Sequence, residues 1–271
     1  IKIIPQRYIY GFAKHIAYLS YIIAKKQRKI ALESLTIAFG QDKSRQEIEK
    51  IVRDCFVYMA KAGVEILFLI DRPRLLIERV EIVGKDNLDN ALSKGCGVIL
   101  VSAHFGYFPL LMARLALAGY RIVGIMRLMR DTRMEKFFMR KRAKLKIKTI
   151  YNQPRVACVN STIEALRNNE LVFIPIDQNF GTGGIFVDFF GRKAATAIGP
   201  IVFAQRTKAI VLPCFIIRQK DDCHKIIFEP PLDLVEGKNS QETVVINIQR
   251  LTNIIESYIR RYPAEWGWIH R

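Results

Sequence analysis

Paired cysteines are missing from this chain. Its five cysteines, Cys55, Cys96, Cys158, Cys214 and Cys223, are scattered, odd in number and without C-x-x-C spacing. That pattern speaks against a disulfide framework or a zinc site, and for a reducing compartment. Histidine is scarce too: His15, His224 and His270 have no metal-ligand spacing with one another or with a cysteine. No charged start, compact apolar stretch and small-residue cleavage site follow in order, so no cleavable signal peptide is expected. Repeats, low-complexity tracts and linkers are absent as well. Acidic residues are in deficit, 25 Asp and Glu against 43 Lys and Arg, a formal net charge of +18. Such an excess favours anionic partners: nucleic acid, phospholipid headgroups or an acidic protein.

Half of the 271 residues are hydrophobic, enough for one large α/β core. Residues 8 to 24, YIYGFAKHIAYLSYIIA, form an aromatic, apolar segment broken by Lys14 and His15 and followed by KKQRK. The segment is marginal for a spanning helix, which needs about 20 mostly apolar residues. It is expected to be an interfacial helix, or the end of a spanning helix begun upstream, with the basic cluster on the cytoplasmic side. An amphipathic packing helix with a basic end would show the same pattern.

Further on, SRQE at residues 44 to 47 is a capping box that opens a helix reaching about 69, and Asp71-Arg72-Pro73 stops it. From residue 80, short apolar runs alternate with helical ones. The strands VEIVG, GVILVSA, RIVGIM, KTIY, LVFIPI, GIFVDFF, AIVLPCFIIR and HKIIFEP are separated for the most part by helices. Those helices are predicted near 86–93, 109–118, 131–145, at STIEALRNN, near 198–207 and near 240–261. The alternation predicts a single α/β domain with a largely parallel central sheet flanked by helices.

Ligands of open α/β sheets bind beyond the carboxyl ends of the strands. His104 follows GVILVSA, Arg127 follows RIVGIM, and Asp177-Gln178 follow LVFIPI. His104 suits general-base work, because an ordinary histidine titrates near neutrality. A histidine satisfied by the backbone in a strand-to-helix turn is the alternative. Asp177 can accept a proton, orient His104, or hold a hydroxyl or cation; an Asx turn capping the strand end is the bland reading. The glycines of the loop DQNFGTGG precede a strand, whereas dinucleotide and P-loop fingerprints need a helix there, so a nucleotide-dependent enzyme is disfavoured. Ser102 is not in a G-x-S-x-G elbow, which argues against a serine hydrolase. The run KFFMRKRAKLKIK, residues 136 to 148, carries seven positive charges among apolar residues. It fits an anionic membrane surface, an acidic carrier protein or a solvated helix face. No helix-turn-helix, zinc or RNP-type signature supports nucleic acid.

VSAHFGYFPLL, the arginine of GIMRLMRD, IDQNFGTGGIFVDFFGRKAATAIGP, AIVLPCF and RRYPAEWGWIHR stand in one order. That order resembles the late acyltransferases of lipid A biosynthesis, the lauroyl and myristoyl transferases, within the wider lysophospholipid and glycerophosphate acyltransferase superfamily. The likeness runs from KKQRKIALESLTIAFG to the C-terminus. It implies an enzyme at the cytoplasmic face of the inner membrane, with a membrane-associated segment over residues 1–30 and an acyltransferase domain over 31–271. Such an enzyme moves a fatty acyl group from acyl carrier protein, or another thioester, to a hydroxyl of a lipid acceptor. No cofactor, metal or nucleic acid is implied. By position, His104 resembles the family's base, Arg127 its phosphate- or carbonyl-binding arginine, Asp177 and Gln178 its acidic third block, and Phe186 part of an acyl or acceptor wall. Other readings are an acyltransferase for a lysophospholipid or other lipid acceptor, and a lipid-binding protein on a degenerate acyltransferase scaffold.

The chain departs from the family at one position. An acidic residue is expected five positions after the histidine, and Pro109 stands there. Asp177 can take its place, because both residues are expected on one sheet rim. Alternatively, a backbone carbonyl or Tyr107 holds the ring with weaker activation, or efficient transfer is lost.

Overall fold

The computed structural model describes residues 6 to 269. Two N-terminal helices, α1 (Gln6–Ile23) and α2 (Lys25–Phe39), precede α3 (Arg45–Leu69). The capping box holds the start of α3: the Glu47 backbone N–H donates to Ser44 Oγ and the Ser44 N–H to the Glu47 carboxylate. Then come α4 (Pro73–Arg79), β1 (Val80–Val83), α5 (Lys85–Leu92), β2 (Val98–Ser102), α6 (Phe108–Leu117), β3 (Ile122–Met126) and α7 (Thr132–Lys144). The chain continues through β4 (Lys148–Tyr151), α8 (Arg155–Arg167), β5 (Leu171–Pro175), β6 (Ile185–Phe189) and β7 (Arg192–Thr196). It ends with α9 (Gly199–Thr207), β8 (Ile210–Arg218), β9 (His224–Phe228) and α10 (Ser240–Arg261).

Seven strands form one sheet in the order β1-β9-β8-β2-β5-β3-β4. From β8 to β4 every pairing is parallel, while β9 runs antiparallel to β8 and β1 parallel to β9. The domain is therefore α/β with a mostly parallel sheet and helices on both faces. Strand side chains alternate between two cores. Ile99, Val101, Val172 and Ile174 join α2, α8, α9 and α10 on one face. Val98, Leu100, Leu171 and Phe173 join α1, α4 and α6 on the other. Because β2 and β5 are covered on both sides, they read as continuous apolar runs. Leu100 is fully buried, and such a leucine typically contributes about 2–5 kcal/mol against alanine.

Two details differ from the reading of the sequence. Pro73 begins a helix as well as ending the region before it, since its fixed φ and missing N–H suit the first turn. The GIFVDFF strand lies outside the central sheet, in a hairpin with β7, whose RKAAT sequence has little strand signal. A two-residue turn closes the hairpin, Phe190 at φ 50° and Gly191 at φ 69°, the hand that matches strand twist.

Among the described residues no helix is long and apolar enough to cross a membrane. Instead α1 packs on α3 through Ile9, Ala13 and Ala17. It leaves Tyr8, Phe12, Tyr18, Leu19, Ile22 and Ile23 exposed.

Candidate active site

Register and pleat together bring two side chains into contact. Ser102 of β2 lies opposite Pro175 of β5, so His104 and Asp177 each stand two residues beyond a paired position. Both also fall on the same face of the sheet by the period of two. The ladder is carried one step further by the Ile176 N–H, which donates to the Ser102 carbonyl at 3.1 Å. His104 Nδ1 then sits 2.8 Å from Asp177 Oδ1. The Asp177 side chain is 2% exposed and that of His104 35%. The carboxylate is sealed in while the imidazole keeps an open edge.

With a carboxylate as partner, Nδ1 is the donor and Nε2 carries the lone pair; this assigns the tautomer from the network. Phe108 packs edge-on against the imidazole at 5.5 Å and itself stacks on Phe173. The turn that presents His104 needs Gly106. Its φ is +61°, and a Cβ there would lie 1.9 Å from the Ile216 carbonyl oxygen. Only glycine fits such a position.

The second carboxylate oxygen is also held. Trp266 Nε1 donates to Asp177 Oδ2 at 2.7 Å. Trp266 forms an isolated antiparallel bridge with Phe105, and the Gly106 N–H donates to the Glu265 carbonyl at 2.9 Å. Around the indole lie Phe189 at 5.6 Å and Trp268 at 4.5 Å. Nothing in the sequence reading assigned Trp266 a role. The available signal was that the chain's two tryptophans both sit in the W-x-W of its ending. His270 and Arg271 of that ending lie outside the described residues.

Arg127 is the first residue beyond β3, on the same rim, and is exposed. Gln178 is exposed beside Asp177, and Phe186 is exposed on the outer side of β6. None of the three makes a hydrogen bond or ring contact with the His104–Asp177 pair among the described residues. Pro109 lies in the first turn of α6. Tyr107 is directed elsewhere: burial first, and then the charge of Glu65, push its hydroxyl pKa up.

A second polar cluster lies behind this turn. Glu65 of α3 is buried and ion-paired to Arg218, with His224 Nε2 at 3.2 Å and the Tyr10 hydroxyl donating at 2.6 Å. Burial alone would raise the Glu65 carboxyl, but hydrogen bonds from His224 and Arg218 outweigh it and lower it to about 2. Glu265, which accepts the Arg218 backbone N–H, is raised by burial to about 7.

The bacterial lipid A biosynthesis acyltransferase family model matches residues 1–271. A lipid A biosynthesis palmitoleoyltransferase of Escherichia coli (strain K12) is 26% identical over 254 residues, 91% of this chain and 78% of that protein. A lipid A biosynthesis acyltransferase of Haemophilus influenzae is 23% identical over 249 residues, 91% of this chain and 75% of that one. A phosphatidylinositol mannoside acyltransferase of Mycobacterium tuberculosis (strain CDC 1551 / Oshkosh) is 26% identical over 196 residues, 70% of this chain and 58% of that one. The 1-acyl-sn-glycerophosphate acyltransferase PlsC of Thermotoga maritima gives a TM-score of 0.42 at 12% identity, covering 93% of this chain and 96% of that one. Matched along its whole length, the chain belongs to the bacterial lipid A biosynthesis acyltransferase family, whose members carry acyl groups to lipid acceptors.

Proposed function

We propose that the protein transfers a fatty acyl group from acyl carrier protein, or another thioester, to a hydroxyl of a lipid A precursor or related glycolipid. His104 is the general base. The observation that carries this reading is the half-open imidazole bonded through Nδ1 to a buried carboxylate. His104 Nε2 takes the proton of the acceptor hydroxyl as its oxygen attacks the thioester carbonyl. The tetrahedral intermediate then collapses, the C–S bond breaks, and the departing thiolate takes the proton from the imidazolium. Asp177 holds the ring in the productive tautomer and offsets the charge of the imidazolium. Arg127 binds acceptor phosphate or polarises the carbonyl. Gln178 and the exposed Phe186 contact the substrates.

The reaction is placed at the cytoplasmic face of the inner membrane, with residues 1–30 as the membrane-associated segment and 31–271 as the catalytic domain. The exposed apolar side of α1 and the Lys25, Lys26, Arg28 and Lys29 that follow support an interfacial helix. On α7, Arg133, Lys136, Arg140 and Lys144 line a groove with Phe137, a face suited to anionic headgroups or to an acidic donor carrier. That one relative is named for lipid A and another for a mannoside supports a glycolipid hydroxyl as the acceptor class.

The test incubates purified protein with acyl-loaded carrier protein or acyl coenzyme A and with tetra- or penta-acylated lipid A precursors, mannosylated lipids or lysophospholipids. Mass spectrometry reads the products. One added acyl chain on a glycolipid supports the proposal; acylation of lysophospholipid alone, or of nothing, overturns it.

A further inference from the structure

The buried carboxylate raises a question that the pair alone does not answer. Asp177 stands on the irregular segment after β5, and rotation about its terminal torsion is broad and roughly two-fold. A carboxylate held by one hydrogen bond would turn freely, and its second oxygen would be buried without a partner, which is costly. Trp266 removes both problems. Its Nε1–H lies 2.7 Å from Oδ2 while Nδ1 of His104 lies 2.8 Å from Oδ1, so the carboxyl group is gripped at both ends. An indole can only donate. The oxygen it meets must accept, and the other oxygen is left facing Nδ1.

The scaffold ties the three side chains into one unit. Asp177 and His104 follow neighbouring strands in register. Trp266 is joined to the residue after His104 by the Phe105 bridge, and the Gly106 N–H bonds the residue before it, Glu265. Phe189 and Trp268 pack around the indole and fix its plane. A displacement of the C-terminal segment would move the donor away from Asp177 and the His104 turn with it.

We infer that Trp266 is a positioning residue for acyl transfer, which keeps the Asp177 carboxylate oriented so that His104 presents an unprotonated Nε2 to the acceptor. The inference rests on His104 being the base. In this chain, where Pro109 occupies the place of the family's acid, the orienting group is thus a two-part device, a carboxylate from β5 and an indole from the C-terminal segment.

A double-mutant cycle between Trp266→Phe and Asp177→Asn tests it, with purified full-length chains and saturating substrates. Trp266→Phe is expected to lower kcat about 10- to 100-fold with KM changed less than about threefold, the size of a lost hydrogen bond to a charged group. In the Asp177→Asn background the same substitution is expected to change kcat by less than about threefold, because its target is gone. Nitrogen NMR of the histidine-labelled protein is expected to show the His104 tautomer mixed in Trp266→Phe and single in the wild type. Equal losses in both backgrounds, or no loss in the wild type, overturn the inference and leave Trp266 as packing. An Asp177→Asn enzyme with unchanged kcat overturns the underlying His104–Asp177 reading instead. Should Trp266→Phe not fold, 3-benzothienylalanine at 266 keeps the bicyclic shape, lacks the N–H, and gives the same cycle.

Discussion

His104 Nδ1 lies 2.8 Å from an oxygen of Asp177, a residue 73 positions later in the chain. Through this contact the imidazole gains a carboxylate partner from the end of a neighbouring strand, while Pro109 stands five positions after it. Asp177→Asn puts an amide where the carboxylate stands, which no longer enforces one tautomer or balances the imidazolium. Acyl transfer is expected to fall by about 10²–10⁴ in kcat. Steady-state kinetics check it, with circular dichroism to show that the fold is kept.

Gly106 sets the turn that carries His104. At φ +61°, with a Cβ only 1.9 Å from a carbonyl oxygen, alanine meets both backbone strain and a hard clash. Gly106→Ala is expected to destabilise the protein by about 3 kcal/mol or more. Urea unfolding measures it, and activity is expected to fall with the folded fraction.

Glu65 is buried against Arg218 and His224. Glu65→Gln leaves the buried Arg218 with Asp222 as its remaining carboxylate partner, at 3.2 Å, and is expected to cost about 1–3 kcal/mol at neutral pH. The carboxyl is lowered in the folded state from 4.5 to about 2. Its contribution is therefore complete above the unfolded value and lost as pH falls through the folded one. The gap between wild type and Glu65→Gln is expected to be full at pH 7 and to narrow between 4.5 and 2, read by urea titrations at each pH.

Glu265 has the opposite sign. Burial raises its carboxyl from 4.5 to about 7, so the folded state holds a proton that the unfolded state releases. Stability from this group falls as pH rises from 4.5 through 7. Glu265→Gln, which cannot titrate, is expected to flatten the slope of Tm against pH across that window. An unchanged slope would assign it to other groups.

The rim of the site was legible from the sequence because strands announce themselves by apolar runs. His104 and Asp177 each end such a run, and a mostly parallel sheet collects strand ends on one side. What could not be read was adjacency. Only the strand order puts β2 beside β5, and only the register puts Ser102 opposite Pro175. Trp266 was hidden for a related reason: it reaches Asp177 from an irregular segment after α10, where no periodicity reports direction. The β7 strand went unread because RKAAT lacks β-branched and aromatic residues apart from its threonine, and its pairing with β6 depends on the hairpin turn.

The most direct measurement of the central claim is single-turnover acyl transfer to a glycolipid acceptor by purified His104→Ala beside the wild type. With His104 as the base, the rate of the chemical step falls by about 10³ or more while acceptor binding is retained. Transfer by His104→Ala at the wild-type rate would contradict the account.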